Sequence, residues 1–468
     1  MSAAAREQAP RRVACASCRQ PILEGARKCK HCKAWQPERA RAPRAAILMI
    51  ITLTSVFSVI VTSKPSAVGK APPLTTLAGD VTSSAEPSPL AVGPEPARTT
   101  PKPPPVPAPI RTWKRREIVL GDIHPLDVAF SPSGESFYVT GDDATVREYL
   151  VESGDMVHKS SLPVKGDRLV PLFDRYLAVL RLDPKVSRVP VLDVTRWDYD
   201  PLQLEVGSGP ADVVEMPDGT VVIGSTMGHR VSRFGLPSGN LVSDITLPHS
   251  TGQLFLVRSE GRPYLAALGA MTHSGRPAGA WLDLFDPEED PFGATRRSVS
   301  VGRDPRPGGL IGDGSRIFFP DFATNSVTVI DLGDHATTQS VDVGQGPIAG
   351  FIMAGDRYGV TLNGSARTAS VVDLTSAAPG SRLTVSTLML AGEPRAGRMS
   401  QDHTALFVPL GGREEPPRGQ GVAIIAGDPP SVVATLPTGE GAMSVAVSKD
   451  GARAAVANYF AKSITILE

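Results

Sequence analysis

From residue 117 onward, apolar and polar positions return in one fixed order. An apolar run ends at Gly or a turn; an extended run follows, then a polar turn often built on Asp-Gly or Gly-Asp. A second extended run, a loop and a third run complete the unit. REIVLGDIHPLDVAFSPSGESFYVTGDDATVREYL is one copy, and LQLEVGSGPADVVEMPDGTVVIGSTMGHRVSRFGL and QSVDVGQGPIAGFIMAGDRYGVTLNGSARTASVVDL are others. RSVSVGRDPRPGGLIGDGSRIFFPDFATNSVTVIDL, STLMLAGEPRAGRMSQDHTALFVPL and VATLPTGEGAMSVAVSKDGARAAVANYFAKSITIL continue the series. Two weaker copies fill the gaps, over residues 160–194 and in an enlarged form over 245–302.

Copies begin near residues 118, 160, 204, 245, 299, 341, 388 and 434. That spacing, roughly forty to fifty residues, is the period of a four-stranded β-propeller blade. A parallel β-helix needs a shorter period, and a helical solenoid would show apolar residues every 3.6 positions, which are absent. The pattern predicts an all-β propeller over 113–468. It has eight blades, or seven if the 160–194 or 245–302 copy is not a true blade.

The two ends of this array complement each other. The first copy opens on an orphan strand at 116–121, ahead of its own three. The last ends on Ala442–Val447, 452–457 and Ser463–Leu467 with no fourth. Pairing 117–120 with Ser463–Leu467 completes the last blade, closes the ring and hides two strand edges.

Composition adds a head and a tether. Aromatics make up 5% while Gly and Pro number 45 and 44, which suits short strands joined by turns plus a tract without a core. Net charge is zero, but residues 1–44 carry 11 Lys and Arg against 3 acids, and 113–468 carry 32 against 42. All four cysteines fall in CASCRQPILEGARKCKHC, so the large body has no internal disulfide. Two Cys-x-x-Cys pairs, each presenting two thiolates from one tight turn, complete a tetrahedral Zn²⁺ site. Cys15, Cys18, Cys29 and Cys32 are the expected ligands of a structural zinc over residues 13–35. Neither pair continues into His, as c-type haem attachment requires, and the head is too short for a thioredoxin-like domain.

AAILMIITLTSVFSVIVT, residues 45–62, is free of charge and long enough, at ~1.5 Å per residue, to cross a bilayer core. Arg39, Arg41 and Arg44 precede it, so the positive-inside rule places the head in the cytoplasm and the rest outside it. No small-residue cleavage site ends the run, so a signal anchor in the inner membrane is expected. Residues 63–112 hold thirteen prolines and few large apolar residues, the composition of an extended spacer.

Resemblances sharpen these readings. The cysteine segment resembles the small zinc ribbons found at the N-termini of many bacterial membrane proteins. HPLDVAFSPSGESFYVTGDDATVREY resembles a WD40 repeat, with His124 at that family's Gly-His position and Asp143 at its structural aspartate. Tyr149 stands where tryptophan is usual and Gly141 where the hydrogen-bonding serine would be, so the WD40 side-chain network is incomplete here and not expected in the other copies. VDVGQGPIAG and VAVSKDGARAAVANYFAKSITIL look more like the YVTN repeats of bacterial surface propellers. Both resemblances imply a propeller and neither implies a reaction.

No catalytic or cofactor-binding residue is assigned beyond the zinc ligands. His124, His158, His229, His249, His273, His335 and His403 are scattered across copies and share no ligand spacing. Asp142, Asp143, Asn325, Asn363 and Asn458 are loop candidates for a lactonase-like metal site at the channel, though turn chemistry accounts for each equally well. The expected function is an extracytoplasmic, membrane-anchored binding scaffold for a protein, peptide or envelope ligand. A lactonase-like hydrolase and a signalling protein acting through the zinc head are the alternatives. With Trp35 as its only aromatic, the head does not read as a nucleic-acid binder.

Overall fold

The computed structural model describes residues 12–14, 21–23 and 112–468, apart from short stretches at 260, 274–275, 290, 334–337, 376–381 and 413–419. The chain divides into two units, Met1–Thr99 and Thr100–Glu468. In the first, strand Arg12–Ala14 pairs antiparallel with Pro21–Leu23, Val13 opposite Ile22. The cysteines, the apolar run at 45–62 and the spacer up to residue 111 lie outside the described residues. Among the described residues no helix is long and apolar enough to cross a membrane.

In the second unit the described strands form eight four-stranded antiparallel sheets. Blade 1 runs from strand Pro125–Phe130 to Met156–Ser161, blade 2 from Arg168–Leu172 to Leu202–Glu205, and blade 3 from Pro210–Glu215 to Asn240–Thr246. Blade 4 spans Gln253–Ser259 to Arg297–Gly302, blade 5 Gly309–Ile311 to Thr338–Asp342, blade 6 Pro347–Met353 to Thr384–Met389, and blade 7 Arg398–Met399 to Ser431–Glu440. Blade 8 takes Ala442–Val447, Ala454–Asn458 and Ser463–Leu467 from the C-terminal end and Arg115–Val119 as its fourth strand. The closing strand pairs Arg115 with Leu467 and Val119 with Ser463, and backbone bonds extend the ladder through Lys114 to Glu468 and Leu120 to Lys462.

Both doubtful copies are true blades. The 160–194 copy builds most of blade 2. The enlarged copy is blade 4, whose second and third strands, Arg262–His273 and Arg276–Phe285, are lengthened into a hairpin. The buried apolar side chains settle the count independently. Among the described residues they sort into eight clusters, one for each pair of neighbouring blades, including the blade 8–blade 1 seam.

Why the middle strands read as unbroken apolar runs follows from this stacking. Successive side chains point to opposite faces of a strand, and here both faces are covered. In blade 3, Val221 and Ile223 pack toward blade 2 while Val222 packs toward blade 4. In blade 7, Leu406 and Val408 face blade 6 and Phe407 faces blade 8. Fourth strands sit at the rim with one face in water, so Met156–Ser161 and Thr384–Met389 are mostly exposed. Gly359, mid-strand in blade 6, makes room for the fully buried Phe318 of blade 5: a Cβ there would lie 2.2 Å from the ring.

Candidate functional site

First strands face the axis of the ring, and their early residues link each blade to the next. Several enter through a register shift, between Pro125 and Asp127 in blade 1 and between Pro210 and Asp212 in blade 3. This bulge re-aims the residue after it. Asp127 accepts the Leu169 backbone N–H of blade 2 at 2.7 Å through Oδ2 and the Ser444 hydroxyl of blade 8 through Oδ1. Asp212 occupies the same place two blades on. It accepts the Leu254 N–H of blade 4 at 3.0 Å and pairs with Arg168 Nη1 of blade 2 at 3.0 Å. Gln253 continues the pattern, accepting from the Gly308 N–H at 2.8 Å and donating to the Gly308 carbonyl at 3.2 Å.

At the end of the channel formed by the turns between first and second strands, blades 7, 8, 1 and 2 enclose a cavity of about 300 Å³. Phe130, Val170, Pro171, Met399 and Val447 give it apolar walls, and Arg168 and Arg398 enter it from blades 2 and 7. Lys449 of blade 8 reaches across blade 1 to Asp174 of blade 2, 3.1 Å away, bridging part of the rim. A second cavity of about 510 Å³ lies between blades 1 and 2, near Ser161, Lys185 and Gln203.

Two side chains at the axis carry perturbed charges. Burial pushes the Asp212 carboxyl above its ordinary range, opposed by Arg168 and by the Leu254 N–H. Surrounding protein pulls the Arg398 guanidinium below its ordinary pKa; the charge of Asp127 opposes that, Arg168 reinforces it and Asp212 opposes it. Arg398 is nevertheless exposed, because the space it opens onto is the channel. Its guanidinium forms no hydrogen bond or ion pair among the described residues.

The loop residues named from sequence do not meet there. Asp142 accepts the His124 N–H at 3.2 Å, and Asp143 holds Thr145 at 2.8 Å and Arg147 at 2.5 Å. Asn325, in the left-handed region at φ 54°, accepts the Gly346 N–H at 2.8 Å. Asn363 and Asn458 are fully buried and play one role in two blades. Asn363 Nδ2 donates to Thr368 and Ser370, and Asn458 Nδ2 to Ser463 and Thr465. Each candidate is thus used within its own blade or by the adjoining link. Among the described residues no group of three or more His, Cys, Asp or Glu could hold a metal.

His229 and His403 are turn residues with positive φ, and His158 pairs with Glu148 at 2.8 Å while stacking on Trp197. His335 lies outside the described residues. The incomplete WD40 network is as expected in blade 1: Asp143 does not reach His124, whose Nδ1 lies 2.9 Å from the Tyr459 carbonyl. Tyr149 packs on Phe137 where that network's tryptophan would stand. Blade 4, however, holds a His–Asp cluster that the sequence did not suggest. Buried His249 Nδ1 lies 3.1 Å from Asp283, stacks on Trp281 at 4.3 Å, and shares Asp283 with the Ser298 hydroxyl.

Asp127, Arg168, Asp212 and Arg398 were not singled out from sequence. A signal for two existed: HPLDV and GPADV place Asp two residues after Pro in separate copies.

No protein-family profile matches this sequence, and no curated protein matches it. Among solved structures the chain is similar to Kuenenia stuttgartiensis hydrazine synthase, 16% identical with a TM-score of 0.48, over 74% of this chain and 96% of that one. It is also similar to the Myceliophteria thermophila Cps50 (Swd1) β-propeller domain, 11% identical with a TM-score of 0.45, over 75% and 99%.

Proposed function

We propose that this chain is a membrane-anchored binding scaffold whose eight-bladed propeller works outside the cytoplasmic membrane and receives its ligand at the axial cavity. The cavity itself carries the reading: about 300 Å³, apolar walls and guanidinium groups that are not fully engaged. The acids and amides singled out from the loops, by contrast, are engaged within their own blades or by the adjoining link. Small-molecule and peptide sites have this character, concave and apolar with a few placed polar groups. Residues 45–62 anchor the chain, the basic flank stays in the cytoplasm, and residues 63–112 give the propeller reach. Cys15, Cys18, Cys29 and Cys32 hold a structural zinc in the head.

The test is capture of an envelope component by the full-length chain in detergent, run beside Gln401→Trp, which narrows the cavity at an exposed rim position. Wild type should retain a component that the variant loses. Capture by neither, or equal capture by both, overturns the reading. Reporters fused at each end should place the head inside and the propeller outside; a cytoplasmic propeller would refute the localisation. Metal analysis should find zinc in wild type and none in Cys29→Ser/Cys32→Ser.

A further inference from the structure

We infer that the axial cavity binds a small organic anion, an apolar body ending in a carboxylate or phosphate, with Arg398 and Arg168 gripping the charged end. This deepens the scaffold reading and rests on it.

Counting donors and acceptors leads there. The carboxylates at this end of the channel each hold partners already. Asp127 has one oxygen on the Leu169 N–H and the other on the Ser444 hydroxyl. Asp212 is divided between the Leu254 N–H and Arg168, and Asp174 is paired with Lys449. The donors are not spent. A guanidinium carries five N–H donors. Arg168 makes its contacts, to Asp212 and to the Ala211 carbonyl, through Nη1 alone. Arg398 makes none among the described residues. Formal charges around the cavity balance, three cations against three carboxylates, yet each carboxylate has other partners and Arg398 is left over.

A guanidinium that opens onto the channel and is not held by another side chain can take an anion there without giving up an existing bond. The surrounding protein and Arg168 lower the proton affinity of Arg398, and a bound anion would act in the opposite direction, as Asp127 and Asp212 do. Guanidinium suits planar bidentate contact with a carboxylate and the oxygens of a phosphate. Arg168 and Arg398 come from different blades and line the same cavity, so one anionic group there can be approached by both. The walls of Phe130, Val170, Pro171, Met399 and Val447 fit an apolar body, and about 300 Å³ is the lower end of small-ligand sites. The same count favours an anion over a cation, since each carboxylate already has partners and the side chains with donors to spare are positive.

Titration calorimetry on the full-length chain tests this with hexanoate, hexyl phosphate and, as an uncharged control, hexanol. Hexanoate or hexyl phosphate should bind at least tenfold more tightly than hexanol. Arg398→Gln should lose at least tenfold toward the anions and leave hexanol unchanged, while Arg398→Lys, keeping the charge but not the fork, should recover part of the loss. Because Arg398 holds nothing in place, the unliganded Arg398→Gln chain should melt with the wild type, so lost binding does not reflect lost folding. Equal affinity for hexanol and hexanoate, or unaltered anion binding by Arg398→Gln, overturns the assignment. If neither anion binds but envelope capture still depends on the cavity, only the anion falls and the scaffold stands. Loss of both sinks the two together.

Discussion

Blades 4 and 8 are both complete four-stranded sheets, yet the chain builds them in opposite ways. Blade 4 is continuous in sequence and oversized, its second strand twelve residues long, and it is pinned internally by the buried His249–Asp283 pair against Trp281. Blade 8 is short and joins the two ends of the array, with Arg115 opposite Leu467. The closing segment touches both neighbours of blade 8. Ile118 and Leu120 enter the cluster shared with blade 1, and Trp113 meets Phe407 of blade 7 edge-on at 5.5 Å. Stacked repeats derive stability from nearest-neighbour interfaces. A lesion inside blade 4 therefore stays near blade 4, whereas a lesion at the seam opens the ring and weakens two interfaces together.

The largest expected effect comes from deleting residues 112–121 in the full-length chain. Cooperative thermal unfolding of the propeller, followed by circular dichroism, should disappear; a melt like that of wild type would remove the distinction between the two blades. Next, Ile118→Ala at the seam should cost about 3 kcal/mol in chemical denaturation, the usual range for truncating a buried branched side chain. Hydrogen exchange should then quicken across blades 7, 8 and 1.

Asp283→Ala should cost about 2 kcal/mol, because it strips the buried His249 of its partner and removes the acceptor of the Ser298 hydroxyl. Its faster exchange should be confined to blade 4 and its immediate neighbours. Identical exchange maps for the two variants would break the comparison. The smallest effect lies in neither blade. Arg175 donates to Asp193 in blade 2, and those bonds, with Thr195, hold the carboxyl down at about 2. A depressed carboxylate stabilises the fold above its ordinary value of ~3.9, and the contribution is lost as pH falls through the folded value. Denaturant midpoints should therefore drop for wild type between pH 4 and about 2, and the drop should shrink in Asp193→Asn.

Most of the fold could be read from short-range pattern. Strand Ala442–Val447 lies where alternation placed it, Ala454–Asn458 begins two residues after the expected start at 452, and the closing strand is Arg115–Val119 instead of 117–120. Such offsets arise because pairing sets a strand's ends: Arg115 reaches Leu467, and no local feature of RREIV announces that. Blade 2 reads weakly because the connections after Leu180 and Asp193 are long and irregular, but Leu177 to Leu180 are as buried as any middle strand. Asp142, Asn325 and Asn363 were legible as corner residues, and corners and strand ends are where they act.

Local alternation and the recurrence of one unit are properties of neighbouring residues, so strand order, blade architecture and the complementary ends were written in the chain. Convergence is a different kind of fact. Arg168 and Arg398 are 230 positions apart, and no spacing rule relates them. Whether they share a channel, and which keeps a carboxylate, depends on the diameter of the ring and on which blades border one mouth. Those distances exist only once eight interfaces have closed, because each blade's position is set by its neighbours and not by its own residues.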